Sequence, residues 1–253
     1  MAGHSKWANI QHRKNAQDKK RTQLFAKLCR EVTVSAKEGG GLPENNPRLK
    51  AAITAAKKNS VPIKNIENAI KKGTGEIEGE HYDEVTYEGY AAGGVAVFVE
   101  ASTDNKNRTV SDVRASFTKN NGQLGENGSV AWVFERKGLI QVDASHYEQE
   151  DDLLELVIEA GGEDMKRDGD VYNIYTAFED LFSVRENLEK MSVHIENSEI
   201  TRVPTTLAKI EDQETALSVF KLIDRLEDCD DVMKVYANFD IEDSLMDAVA
   251  EKL

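Results

Sequence analysis

Apolar residues recur every three or four positions in the first third of the chain and every second position beyond it. Leu24, Leu28, Val32 and Ala36, with Phe25 beside them, lie on one stripe of a helix that the glycines at 39–41 terminate. Asn46 and Pro47 supply a cap and a first-turn proline for a second helix with Leu49, Ile53 and Ala56 inward. Pro62 opens a third, with Ile63, Ile66 and Ile70 inward, and Gly73 is predicted to close it. Lys57, Lys58, Lys64, Lys71 and Lys72 fall mostly off these stripes, so a three-helix domain would carry its cations outward.

Residues 73–79 hold three glycines and no apolar period, and read as a linker. The period-two pattern then predicts strands at 84–90 and 95–101, and Val110, Val113 and Phe117 mark a helix before a strand at 130–134. A strand at 139–142, a helix through Leu153, Leu156 and Val157, two strands up to Phe178, a helix at 181–191 and a strand at 199–203 spell β-α-β-β-α-β, the ferredoxin-like plan. After Pro204 come a short strand near Leu207, a helix carrying Ala216, Leu217, Phe220, Ile223 and Leu226, and a last strand at 232–239.

The strands of 84–134 lack a closing helix and strand of the kind 205–239 supplies. The reading that orphans no sheet edge is therefore a discontinuous domain. The expected fold class is multidomain α+β. A basic helical domain with an N-terminal arm spans 1–78, an α+β domain spans 79–134 plus 205–253, and a ferredoxin-like domain at 135–204 is inserted in it.

With 253 residues, 40% of them hydrophobic, the chain is expected to be folded and to hold two or three domains. Its most apolar stretch, residues 95–99, is far short of the roughly 20 residues of a bilayer span. Residues 1–10 lack the apolar centre of a signal peptide, which predicts a cytoplasmic protein with no membrane partner. Cys29 and Cys229 have no C-x-x-C neighbour, so no disulfide framework, metal site or cofactor is predicted.

Charge changes the picture. The net −14 argues against nucleic acid until the chain is divided: residues 1–75 hold 16 Lys and Arg against 5 Asp and Glu, giving +11. The remainder holds 16 against 41, giving −25. Such segregation points to a polyanion-binding module on an acidic body, although a solvated basic helical surface is the plainer alternative. The inserted domain carries 7 Lys and Arg against 18 Asp and Glu and lacks an aromatic-basic strand signature, so its sheet is not expected to bind RNA.

The first 30 residues set eight cations against Asp18 alone. The candidate nucleic-acid contacts are Lys6, Trp7, Arg13, Lys14, Lys19, Lys20, Arg21, Lys57, Lys58, Lys71 and Lys72. Arginine offers bidentate phosphate contacts and lysine a point charge, and both release counterions. Trp7 would stack on a base or plug against the helix below it, and the sequence leaves both open. Lys106 and Arg108, between a strand and a helix start, are candidate anion-binding residues, with a capped polar turn as the alternative. No P-loop, zinc-protease, nucleophile-elbow or dinucleotide motif occurs, and the histidines and the acidic run at 148–159 are scattered or solvated, so no catalytic residue is assigned.

The segments MAGHSKWANI at 1–10, NPRL at 46–49, IKKGTG at 70–75, YEGY at 87–90, the turn at 103–109 and GSVAW at 128–132 together resemble the YebC family over the whole length. Ala91 and Ala92 stand where the family often has Gly-Pro. The resemblance implies three domains and a cytoplasmic transcriptional regulator that binds DNA. It also implies a link to translation, since the family includes a mitochondrial translational activator and members tied to ribosomes stalled on proline-rich chains. The expected function is accordingly a non-enzymatic nucleic-acid-binding regulator acting on duplex DNA. The alternative is a ribosome-associated factor that binds ribosomal RNA and relieves proline stalling. A monomer is favoured.

Overall fold

A computed structural model describes residues 18–147 and 149–250; Lys6, Trp7, Arg13 and Lys14 lie outside the described residues. Three helices come first: α1 (Asp18–Gly39), α2 (Pro47–Lys58) and α3 (Ile63–Thr74). Asn46 caps α2 as its sequence predicts, accepting the Leu49 N–H at 3.0 Å. It also ties α2 back to α1, because its amide donates to the Ser35 and Gly40 carbonyls at 2.7 and 2.8 Å. Val32, Leu49, Ala56 and Ile66 are buried between the helices. Gly73 does not end α3: the helix runs to Thr74, and Gly75 at φ +79° is the left-handed cap. Gly73 serves close packing instead, since a Cβ there would collide with the Thr33 carbonyl of α1.

The strands β1 (Asp83–Tyr90) and β2 (Ala96–Thr103) follow, then α4 (Lys106–Lys119) and the two-residue β3 (Gln123–Leu124). Late in the chain, β8 (Ala208–Ile210), α7 (Gln213–Glu227), β9 (Val232–Ala237), β10 (Phe239–Ile241) and α8 (Asp243–Ala250) complete the unit. The sheet runs β3-β1-β2-β9 and is antiparallel, while β8 and β10 pair in parallel. Phe117, Phe220, Leu222, Ile223 and Val99 form its core. The predicted strand 232–239 is broken at Asn238, whose side chain replaces ladder partners by accepting the Ala96 N–H at 2.7 Å and donating to the Thr206 carbonyl at 3.1 Å.

Residues 130–134 depart from their predicted strand. Ala131–Val133 form a 3₁₀ turn, and β4 (Phe134–Asp143) begins only after it. The cause is Glu88 on β1, whose buried carboxylate accepts the N–H groups of Gly128, Val130 and Ala131, each at 2.7 Å. Donors held by a carboxylate are not free for a ladder.

A second unit, residues 135–203, holds most of β4, α5 (Glu150–Ala160), β5 (Asp164–Asp168), β6 (Val171–Ala177), α6 (Leu181–Lys190) and most of β7 (Ile195–Pro204). Its strand order β5-β6-β4-β7 is the ferredoxin-like arrangement. Ile140, Ile174, Leu153 and Leu188 are fully buried in its core. The first unit comprises 1–134 and 204–253, so the helices α1–α3 and the β3-β1-β2-β9 sheet belong to one unit. The contacts between them cross the 78/79 boundary drawn from the sequence.

Candidate nucleic-acid interface

Gln23, Lys27 and Arg30 stand four and three residues apart, on one face of α1. That face meets the acidic segment that follows α7. Gln23 donates to the Asp230 carboxylate at 3.1 Å, and Lys27 donates to the Glu227 carbonyl. Arg30 donates to the Ser102 carbonyl at 2.7 Å, the Asp230 carbonyl at 2.9 Å and the Asp231 carboxylate at 3.1 Å, and stacks over Tyr82. Burial pulls the Lys27 ammonium below its ordinary value, against the opposing pull of Glu227, Asp230 and Asp228. Two of the cations that make the first 30 residues so basic are thus engaged inside the protein.

Asp231 is the hub of this junction. Its second carboxylate oxygen accepts from Arg108 at 2.7 Å, Thr109 at 2.8 Å and Thr103 at 3.1 Å. Burial disfavours its charged form, but the bonds from Arg108 and Thr109 and the charges of Arg108 and Arg30 outweigh that and hold the carboxyl below the usual range. Arg108 also pairs with Asp104 at 2.7 Å, and Lys106 pairs with Asp83 at 3.0 Å. The side chain of Asn105 caps α4 on the Arg108 N–H. Both candidate anion-binding cations are therefore already matched by carboxylates, and the turn has the geometry of its plainer alternative, a capped polar junction.

Arg48 is a further cation engaged internally. It bonds Glu31 at 2.9 Å, Glu38 at 2.6 Å and Glu84 at 2.7 Å, joining α2, α1 and β1. Lys37 donates to the His81 ring nitrogen at 2.9 Å and to the Tyr82 carbonyl at 3.2 Å.

The remaining candidate cations sit elsewhere. Lys57 and Lys58 close α2, Lys71 and Lys72 close α3, and all four are exposed. Lys57, Lys71 and Lys72 form no ion pair among the described residues. The two pairs do not converge: α3 is 12 residues, about 18 Å, long, with one pair at its far end and the other just before the turn that leads into it. Arg21 is exposed on the first turns of α1 with its guanidinium 5.3 Å from the Phe25 ring, and Lys19 and Lys20 fall in that helix's first turn. The exposed cations Arg21, Lys57, Lys71 and Lys72 are thus dispersed over the helical segment instead of converging on one point. Among the described residues no group of three or more His, Cys, Asp or Glu could hold a metal, and no helix is long and apolar enough to cross a membrane.

Residues 5–76 match the family model described as the TACO1/YebC protein N-terminal domain, and residues 82–239 match that of the TACO1/YebC second and third domain. The chain belongs to the TACO1/YebC family. A relative from Natranaerobius thermophilus is 55% identical over 249 residues, 98% of this chain and 99% of that protein. One from Aquifex aeolicus is 53% identical, covering 98% and 100%. Each is named a "probable transcriptional regulatory protein". The crystal structure of a conserved hypothetical protein from Aquifex aeolicus superposes with a TM-score of 0.83 at 53% identity, covering 89% of this chain and 93% of that one. The gap between the two TACO1/YebC models, residues 77–81, overlaps the end of the 73–79 stretch where the chain's charge changes sign.

Sequence reasoning missed two features of this TACO1/YebC chain, the Asp231 junction and the seat that Glu88 makes for 128–131. Glu88 left a trace, as an acid in a strand whose neighbours alternate, but nothing local says that its partners lie 40 or more residues away.

Proposed function

We propose that this protein is a non-enzymatic regulator of gene expression that binds duplex DNA through phosphate contacts on its helical segment. The observation that carries this reading is the division of labour among the cations. Lys27, Arg30, Arg48, Lys106 and Arg108 are bound to acceptors within the fold, whereas Lys57, Lys71 and Lys72 face solvent without ion pairs among the described residues. A surface of lysines on helix ends supplies affinity without a base-reading helix in a groove, so recognition rests on backbone and shape. Arg21 is exposed on the same helical segment, and in the sequence Lys6, Arg13, Lys14, Lys19 and Lys20 add further cations ahead of it, with Trp7 as a candidate stacking residue. The names of the relatives support the transcriptional side of the reading. The acidic remainder supplies shape and protein contacts and repels nucleic acid from the wrong face.

Crosslinking in cells followed by sequencing of the attached nucleic acid tests this. Recovery of promoter DNA is expected. Recovery of ribosomal RNA in its place would overturn the DNA reading in favour of a ribosome-associated factor.

A further inference from the structure

Trp132 is 68% exposed, the largest fraction among the big apolar side chains described. It is not a loose side chain. Its flanking residues Val130, Val133 and Phe134 are buried with Ala96, Phe98 and Tyr236 on the sheet face away from α4 and α7. A 3₁₀ turn brings positions three apart to one side, so with 130 and 133 inward, 132 is forced out.

The turn itself is clamped. The Glu88 carboxylate takes three N–H groups from it, and the Glu88 carbonyl takes the Gly125 N–H at 2.8 Å. Gly128, at φ +89°, provides the left-handed step that aims those donors inward. Burying a carboxylate is costly unless its lone pairs are used, and here three backbone N–H groups use them, which secures the loop.

What the loop displays is aromatic. The Ser129 carbonyl accepts the Trp132 indole N–H at 3.0 Å and the Tyr90 hydroxyl at 3.0 Å, and Tyr90 is 39% exposed. Because the polar ends of both rings are satisfied by one carbonyl, only π faces remain for a partner. Residues 120–135 include Glu126 and Glu135 and no Lys or Arg; Lys119, Arg136 and Lys137 flank them, with Arg136 stacked over Phe178 and Lys137 paired with Glu135 and Glu163. Outside the basic helical segment, residues 76–134 and 204–253 of the same unit carry 23 acids against 9 cations. Phosphate is repelled by such surroundings, and a cation over an indole is attracted both by the ring and by the field.

We propose that Trp132 and Tyr90 form a docking platform for a basic segment of a partner protein, with an arginine guanidinium stacked on the indole. This site is separate from the lysine surface and does not rest on the DNA-binding reading.

The test uses the full chain and a fluorescently labelled synthetic peptide of alternating Arg and Gly, with a Lys-Gly peptide of equal length and a single-stranded oligonucleotide as rivals, followed by anisotropy. The expected result is that Trp132→Ala weakens Arg-Gly binding about tenfold, that Trp132→Phe retains most of it, and that the Lys-Gly peptide binds more weakly than Arg-Gly. Circular dichroism matched to wild type verifies that the exposed substitution leaves the fold intact. Equal Arg-Gly affinity for wild type and Trp132→Ala would mean bulk attraction to an acidic body and would overturn the proposal. Loss of oligonucleotide binding in Trp132→Ala, with peptide binding unchanged, would overturn it in favour of base stacking.

Discussion

The Arg30 guanidinium reaches the Asp231 carboxylate at 3.1 Å across 201 residues of chain, and both side chains are nearly buried, at 13% and 7% exposure. This pair, with the two carbonyl bonds of Arg30, fastens the basic helix α1 to the acidic end of the same unit. A residue that composition assigns to nucleic acid is in this way a structural bolt.

Removing one partner of a buried pair leaves the other charge uncompensated, so Asp231→Ala is expected to lower the unfolding free energy by about 3 kcal/mol in urea titration. A loss below about 1 kcal/mol would show that the remaining carbonyl acceptors suffice for Arg30.

The same residue gives a pH dependence. Its folded-state carboxyl titrates below the ordinary value of about 3.9, so its contribution is fully present above that value and is lost as pH falls through the folded one. Stability should therefore decline from about pH 4 downward, and Asp231→Asn should flatten that acid limb. The flattening will be partial, because Asp83, bonded by Lys106, and Asp143 and Asp212, bonded by the N–H groups of Ser145 and Thr215, are also held low.

The lysine surface predicts a salt signature. Removing one phosphate-binding cation should reduce the slope of log affinity against log salt by about 0.9 on duplex DNA. Lys57→Gln, Lys71→Gln and Lys72→Gln are each expected to show such a reduction. Lys106→Gln, which removes a cation already paired with Asp83, should leave the slope nearly unchanged. The opposite ranking would move the interface to the start of α4.

Glu88→Ala should strip the 128–131 turn of its acceptor while leaving the sheet's other pairings in place. Amide hydrogen exchange at Gly128, Val130 and Ala131 is expected to accelerate at least about tenfold, with protection in β2 and β9 changing far less. Uniform acceleration across the unit would instead mean that the turn is integral to global stability.

Asn46→Ala removes a cap and the donors to the carbonyls of Ser35 in α1 and Gly40 just past its end, from a residue only 4% exposed. A loss of about 2 kcal/mol is expected in thermal or urea unfolding, larger than for an exposed cap, because the orphaned carbonyls of Ser35 and Gly40 lose their partner. A cost of a few tenths would show that water replaces the amide.

What the sequence determined by itself was whatever rests on neighbours in the chain. Apolar spacing located the three early helices, Asn46 and Pro47 marked the start of α2, and the β-α-β-β-α-β order marked the ferredoxin-like unit, since periodicity and capping are properties of a few consecutive residues. The steep charge division between the first 75 residues and the rest was equally legible. Which cations that division leaves on the surface was not. Arg30 finds Asp231, Arg48 finds Glu84 and Glu88 finds Gly128 over separations of 201, 36 and 40 residues, and no local pattern encodes such meetings. Only the tertiary structure matched Lys27 and Arg30 to part-buried acceptors and Lys106 and Arg108 to carboxylates, folded 130–134 into a turn where the alternation predicted a strand, and left Trp132 facing solvent. The physical reason is clearest at Asp231 and Glu88: a buried polar group or backbone donor must be matched, and the fold brings the match from far along the chain.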